Sequence, residues 1–343
     1  MRALLERKGV LAAAIAAGGA LVAVLSRWPS PGASGSLLLS LLFLIAVAEG
    51  CIAAAAAGEM VNARWVGSVR KELLSVVPLL LLAAFLLLLT IPFLDAYPWA
   101  RHPGKWLRKD FFIGRNALFL LLAYATAMRF AASPPGAEEA KRRASWYLLV
   151  FVASQSLTAF DLVMSLEYPW ISALLGGFFF VESLFAGFAA SALFYLLVQG
   201  RPATAPEPGS RSDLSDLSVL MFGFSLMWAG LFFAQFLTIW YGNIPEEVGF
   251  IARRVSSSPL RELSVAALLL LFFIPFLVLL PTRAKSHPLA VSLAAVSVLS
   301  GVAIERYVFL APAVRIFLPG LAIQLVCVLL LFAAAAHRNP GRS

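Results

Sequence analysis

Runs of about twenty apolar residues recur along the chain, and a helix of that length crosses about 30 Å of hydrocarbon. Inside a bilayer such runs must be helical, because a helix satisfies its own backbone N–H and C=O groups where no water can. Ten runs lie at about 9–26, 36–58, 73–92, 111–130, 145–166, 170–198, 214–240, 261–281, 288–309 and 315–336. The sequence therefore predicts an all-α polytopic membrane protein, with residues 1–343 forming a single transmembrane domain. Of the 343 residues, 61% are hydrophobic and 13% charged, whereas soluble domains carry about 25% charged residues. A core of this length cannot hide so much apolar surface from water, which excludes a soluble enzyme. The first run also has the form of a signal peptide, with Arg2, Arg7 and Lys8 ahead of an Ala-rich stretch. It is kept as a span because the count is then even and the charge bias consistent.

A net charge of +9 would suit nucleic acid, but the basic residues sit in short loops between the runs, where they act as a topology signal. One side carries 16 Lys and Arg in its termini and loops, the other 11. Both termini are accordingly expected in the cytoplasm, with a bacterial inner membrane as the location. Residues 199–212, rich in Pro, Ser, Gly and Ala, read as a flexible cytoplasmic linker. Cys51 and Cys327 lie inside runs, so no disulfide framework is expected. His102, His287 and His337 fall at or beyond run ends, and no Cys-x-x-Cys-His occurs. Axial ligands for a haem between helices are therefore missing, and neither a cofactor nor a metal is expected on this chain alone.

Ionisable residues inside the runs carry functional weight because hydrocarbon makes them costly; structural pairing is the competing account. Asp161, Arg115, Glu305 and Arg306, with Gln235 close by, are expected near the non-cytoplasmic face. Glu49 and Glu182 are expected near the midplane, and Glu59 at the cytoplasmic end of the second run. Ser154, Thr158, Asp161 and Ser165 share one helix face, flanked by Gln155. That stripe reads either as a wetted path to Asp161 or as interhelical hydrogen-bond glue. Arg115 either snorkels or pairs with a carboxylate, and Asp161 lies at similar depth. Glu182 must be protonated, paired or hydrated, and Ser183, Gly187 and Ser191 beside it have the spacing of close helix packing. Phe178, Phe179, Phe180, Phe232 and Phe233 read as lipid or bundle packing, with quinone headgroup stacking as an alternative that nothing in the sequence indicates.

The connections on the non-cytoplasmic side are the informative ones. Trp99 and Trp106 suit the headgroup belt. Glu167-Tyr168-Pro169-Trp170 forms a tight turn without a basic residue. Asn243 and Pro245 precede Glu246 and Glu247, acids that suit the first turn of a short interfacial helix.

These connections carry a resemblance. Asp161-Leu-Val-Met-Ser-Leu-Glu-Tyr-Pro-Trp170, with Ser172 and Gly176, resembles the D-W-I-M-S-L-x-P-H-W pattern of a membrane subunit of alternative complex III. Phe233-Ala-Gln-Phe-Leu-Thr-Ile-Trp-Tyr-Gly-Asn-Ile-Pro-Glu-Glu247 is similar to the same family's F-S-Q-x-L-x-I-W-Y-A-N-I-P-E-E. Tyr97-Pro98-Trp99-Ala100, Arg115 and Asn62-Ala63-Arg64-Trp65 fall where that family has Y-P-W-A, a span-four arginine and an A-R-W turn. The chain departs in having no histidine before Trp170 and Leu162 in place of the usual tryptophan. The family is ActF, quinone-binding subunit 2 of a quinol:cytochrome c oxidoreductase, related to the NrfD and PsrC membrane anchors.

The resemblance implies a pair of four-helix bundles with flanking helices. Implied partners are a homologous quinol-binding membrane subunit, multihaem and monohaem cytochrome c subunits and an iron–sulfur subunit. Haem c and iron–sulfur clusters would sit in those partners, with quinol or menaquinol as the membrane reductant. The implied role is a scaffold with a transmembrane proton pathway, assigned here to Asp161, Glu182, Glu49 and Glu59 with Ser154, Thr158 and Ser183. Asp161, Arg115, Gln235 and Glu167 form the candidate quinone or ion-pair site, and Asn243, Pro245, Glu246 and Glu247 the structural loop motif. A proton-coupled secondary transporter and a purely structural anchor are the alternatives, although no repeat of the transporter kind is visible.

Overall fold

The computed structural model describes residues 18–19, 32–101, 104–199 and 212–336. Among them every regular element is helical, and nine helical segments are long and apolar enough to cross a membrane. The chain is a multi-pass, all-helical membrane protein. Of the first expected span, Gly18 and Gly19 are helical, and its remaining residues lie outside the described ones, as do residues 200–211 of the expected linker, whose first residue, Gln199, ends a helix.

The helices are α1 (Ala33–Met60), α2 (Arg64–Ser75), α3 (Leu79–Leu89), α4 (Lys109–Ala131), α5 (Glu138–Leu162) and α6 (Leu174–Gln199). They continue as α7 (Asp213–Gly242), α8 (Pro245–Val255), α9 (Leu260–Leu268), α10 (Ile274–Leu279), α11 (Pro288–Leu310) and α12 (Leu318–Ala336). Most boundaries fall within a few residues of the apolar runs. The fifth helix begins at Glu138 rather than near 145, and the third run departs most, its helical segment beginning at Arg64 rather than near 73. Its first part, α2, is amphipathic and buries Arg70 and Glu72, so a search for continuous apolar sequence passes over it. The break between α2 and α3 falls at Pro78, which has no N–H to give the carbonyl of Leu74.

α1 is the central element, and nearly all of its residues are buried. It packs against α6, α5, α12, α2 and α3. Its crossing with α6 is close because glycines face each other there. A Cβ on Gly50 would lie 1.9 Å from the Ser183 carbonyl oxygen, and one on Gly187 would lie 2.0 Å from that of Gly50. The spacing of Ser183, Gly187 and Ser191 thus does mark a close helix contact. On one side of α1, α3 packs on α4 and α4 on α5; on the other, α6 packs on α7 and α11, and α9 and α10 pack on α11.

A π-helical turn at Leu269–Phe273 separates α9 from α10. It stands ahead of Pro275, whose missing N–H and bulky ring disturb the regular ladder. α7 stops at Asn243, which takes the left-handed conformation at φ 47. Pro245 then opens α8, with Glu246 and Glu247 in its first turn and Arg253 and Arg254 in its last. This arrangement matches both ends of the helix dipole.

Candidate functional site

The intramembrane acids fall into separate centres. At the end of the bundle that carries the 163–173 and 243–259 connections, Arg115 of α4 donates to Asp161 of α5 from Nη2 at 2.5 Å and from Nε at 2.9 Å. Asn116 Nδ2 donates to the same Oδ2 at 2.7 Å, and Trp106 Nε1 to Oδ1 at 3.0 Å. The Trp106 ring covers the guanidinium at 3.8 Å. Both Asp161 oxygens are therefore held, and Arg115 pairs with a carboxylate instead of snorkelling. Trp106 serves this centre, and Trp99 is buried against Phe112 at 5.1 Å, so Trp99 packs inward rather than joining a headgroup belt.

At the opposite end, Glu59 pins a turn. Its Oε2 accepts from Arg70 Nε at 3.2 Å and its Oε1 from the Gly136 amide at 2.5 Å, while Arg70 also donates to the carbonyls of Phe130 and Ser133. Glu59 stands ten residues from Glu49, about 15 Å along α1. The α1 residues between them are mostly alanine and buried, so the expected descent from Glu49 to Glu59 is not linked along this helix.

Glu49 is different. Ser154 Oγ donates to it at 2.8 Å and Gln155 Nε2 at 2.9 Å. Ser183 Oγ donates to Gln155 Oε1 at 2.8 Å, and the Tyr147 hydroxyl to the Glu49 carbonyl at 3.0 Å. Among the described residues no cation reaches this carboxyl. It can gain or lose a proton without breaking an ion pair. Thr158 is buried on the same face of α5, one turn beyond Ser154.

Glu182 adjoins Ser183 on α6 and pairs with Arg306 of α11, which also donates to Glu305 at 3.4 Å. The guanidinium lies 3.9 Å over the Phe179 ring, and Glu182 and Arg306 are fully buried. Of the three fates open to Glu182, the structure selects pairing. α6 begins at Leu174 rather than 170, which places Glu182 about 12 Å from that helix end and within reach of Arg306. Two carboxyls thus share one guanidinium. One hydrogen-bonded series runs from Glu49 through Gln155 to Ser183, and a second, beginning at Glu182 next to Ser183 in the chain, runs through Arg306 to Glu305.

Glu305 lines a cavity of about 350 Å³ between α6, α7, α8, α9 and α11. That volume is in the range of small-molecule sites. Its wall is largely apolar and includes stacked aromatic pairs: Trp170 on Phe250 at 3.7 Å, and Trp228 on Phe232 at 5.4 Å. Gln235, Arg254 and Glu305 supply charged and polar groups. Ser172 donates to Gln235. Glu167 holds Arg253 at 2.5 Å and Arg254 at 2.8 Å. Burial pulls the Arg254 guanidinium down to about 10 against the opposing pull of Glu167, so it stays charged at neutral pH. Among the described residues, the Trp170 indole N–H and the Arg254 Nε–H are buried without a hydrogen-bond partner.

The four residues expected to form one quinone or ion-pair site thus divide: Asp161 and Arg115 form the closed pair, while Gln235 lines the cavity and Glu167 positions its arginine. Asn243 and Pro245 end α7 and open α8, with Glu246 and Glu247 in the first turn of α8. Asn116, Arg70, Tyr147 and Arg254 were not singled out from the sequence, and Trp106 was read only as a headgroup-belt residue. The signal for Asn116 was its place beside Arg115; for Arg254 it was a second arginine at the end of an amphipathic helix. Compared with models of protein families and with curated proteins, the chain matches none.

Proposed function

We propose that this chain is an integral membrane subunit of a respiratory quinol:cytochrome c oxidoreductase of the alternative complex III type. In this reading it scaffolds the complex in a bacterial inner membrane, both termini cytoplasmic, and carries protons between a quinol-facing cavity and the membrane interior. The observation that carries the reading is the continuity of the cavity with the buried polar series: Glu305 belongs to both. The packing order supports two four-helix sets, one of α1, α2–α3, α4 and α5 and the other of α6, α7, α9–α10 and α11, with α12 flanking. Electrons would pass through cytochrome c and iron–sulfur partner subunits.

The cavity residues fit a quinol or menaquinol headgroup, which when bound supplies electrons to the partners and protons to the membrane. Trp170, Phe178 and Phe232 offer flat apolar faces to a ring. Gln235, Arg254 and the Trp170 indole would hydrogen-bond its oxygens. Glu305 would accept a proton at its carboxyl, and a carboxyl in this position is what such a step needs. Arg306 holds Glu305 and Glu182 at neighbouring positions, and in this reading Ser183, next to Glu182 in the chain, and Gln155 would extend the series to Glu49. Asp161 and Glu59, with their oxygens tied to arginines and backbone, serve as structural locks.

Purification of the tagged chain from native membranes in mild detergent, with haem staining and a quinol:cytochrome c reductase assay, tests the assignment. Co-purified c-type haem and reductase activity are expected. Glu305→Gln should lower the quinol turnover of that complex by about 100-fold, the usual scale for losing a proton acceptor, with assembly retained. A chain isolated alone without haem, or a Glu305→Gln complex with full turnover, would overturn the reading.

A further inference from the structure

Where α4 ends and α5 begins, at the Glu59 end of the bundle, Arg129, Arg142 and Arg143 surround one recess together with Thr126 and Trp146. Arg143 is committed: it donates to Glu139 at 2.5 Å and to the Arg129 carbonyl at 2.9 Å. Arg129 and Arg142 are exposed and have no acidic partner among the described residues. Trp146 is 62% exposed beside them, which is the behaviour of an indole at headgroup level. The recess thus carries two uncompensated positive charges at the ends of two membrane-crossing helices.

The surface next to the recess is apolar. α4 and α5 run antiparallel and pack together. From Arg129 the exposed face of α4 continues through Ala125, Leu122 and Leu118, and from Arg142 that of α5 continues through Trp146, Leu149 and Ala153. Residues at these spacings lie along one face of each helix. Cationic side chains around a recess, an interfacial tryptophan and two apolar stripes leading away into the membrane are complementary to one kind of molecule.

We propose that this recess is a binding site for an anionic diacyl phospholipid. Arg129 and Arg142 take the phosphate, Trp146 packs at the glycerol level, and Leu122 and Leu149 seat the acyl chains. Guanidinium forks suit phosphate oxygens, and basic recesses at the membrane surface select anionic headgroups. The site is independent of the respiratory assignment, as it uses none of the residues of the cavity or the buried carboxyl series.

The test uses the full chain in mild detergent, with bound lipid read by native mass spectrometry against phosphatidylglycerol, phosphatidylcholine and inorganic phosphate. The wild type should retain phosphatidylglycerol over phosphatidylcholine. Arg129→Gln with Arg142→Gln should reduce that preference about 20- to 30-fold, or about fivefold for each arginine. Leu122→Ser with Leu149→Ser should weaken phosphatidylglycerol with both arginines in place, which a free phosphate site would not show. Equal retention of the two lipids, displacement of phosphatidylglycerol by millimolar inorganic phosphate, or an arginine double variant with unchanged preference would overturn the proposal. So would a double variant that keeps its lipid and sheds an acidic protein partner. All four substituted residues are exposed, so folding of the variants, read by their elution volume, is expected to be unaffected.

Discussion

Replacing Glu49 with glutamine removes a titratable proton and almost no volume, and the structure says what the change costs. The carboxyl accepts from Ser154 Oγ at 2.8 Å and from Gln155 Nε2 at 2.9 Å. With Gln155 kept in its present orientation, its oxygen accepts from Ser183 and its NH2 group faces position 49. The new side chain must therefore offer its oxygen to Gln155 and its NH2 group to Ser154. A serine hydroxyl is a rotor that accepts as readily as it donates, so every partner can still be satisfied. The expected cost is below about 1 kcal/mol, the scale of one exchanged hydrogen bond. Glu49→Leu instead strands two buried donors, at about 1–3 kcal/mol each. In the purified complex, Glu49→Gln should unfold within a few degrees of the wild type but deliver protons at about a hundredth of the rate or less. The assay pairs thermal unfolding in detergent with proton release by the complex in liposomes. Wild-type proton release from a correctly assembled Glu49→Gln complex would refute the relay. A loss of more than about 3 kcal/mol would refute the hydrogen-bond accounting.

The remaining predictions separate locks from carriers. Asp161→Asn should destabilise by about 3–5 kcal/mol because it leaves Arg115 buried and underpaired, and Arg115→Met with Asp161→Leu should recover most of that loss; an unchanged melting temperature in the single variant would contradict it. Gly187→Ala places a methyl 2.0 Å from the Gly50 carbonyl oxygen, so α1 and α6 must part, at about 1–3 kcal/mol. Adding Gly50→Ala should cost less than a second full increment, since both act on one contact; strict additivity in thermal unfolding would show that they are independent. Glu59→Gln should speed hydrogen exchange at the Gly136 amide, which now donates to Glu59 at 2.5 Å, while exchange at the 163–173 connection stays the same.

The helical spans were readable because a membrane imposes a simple length and composition rule on each. Where an element broke that rule, it was missed: α2 is too amphipathic to register as an apolar run, yet it extends the third span back to Arg64. Asp161 and Arg115 could be matched by equal depth. The partner of Glu182 could not, because Arg306 lies 124 residues away and the depth of Glu182 depended on a helix start set by the extended connection before it. The cavity was less legible still. Phe178, Phe232, Gln235, Arg254 and Glu305 sit on four separate helices, and each alone reads as ordinary packing or an ordinary charge.

The sequence by itself determined that the chain crosses a membrane repeatedly as helices, and which residues would be costly to bury there. Backbone hydrogen bonding and the thickness of hydrocarbon leave a run of twenty apolar residues little choice, so this much is written locally. The tertiary structure decided that Asp161, Glu59, Glu182 and Glu305 meet arginines, and that Glu49 is held by amide and hydroxyl groups. That outcome depends on side chains from different helices meeting within about 3 Å, the reach of a hydrogen bond. Helix rotation, crossing distance and the glycine contact between α1 and α6 set those meetings, and no local pattern in the chain encodes them.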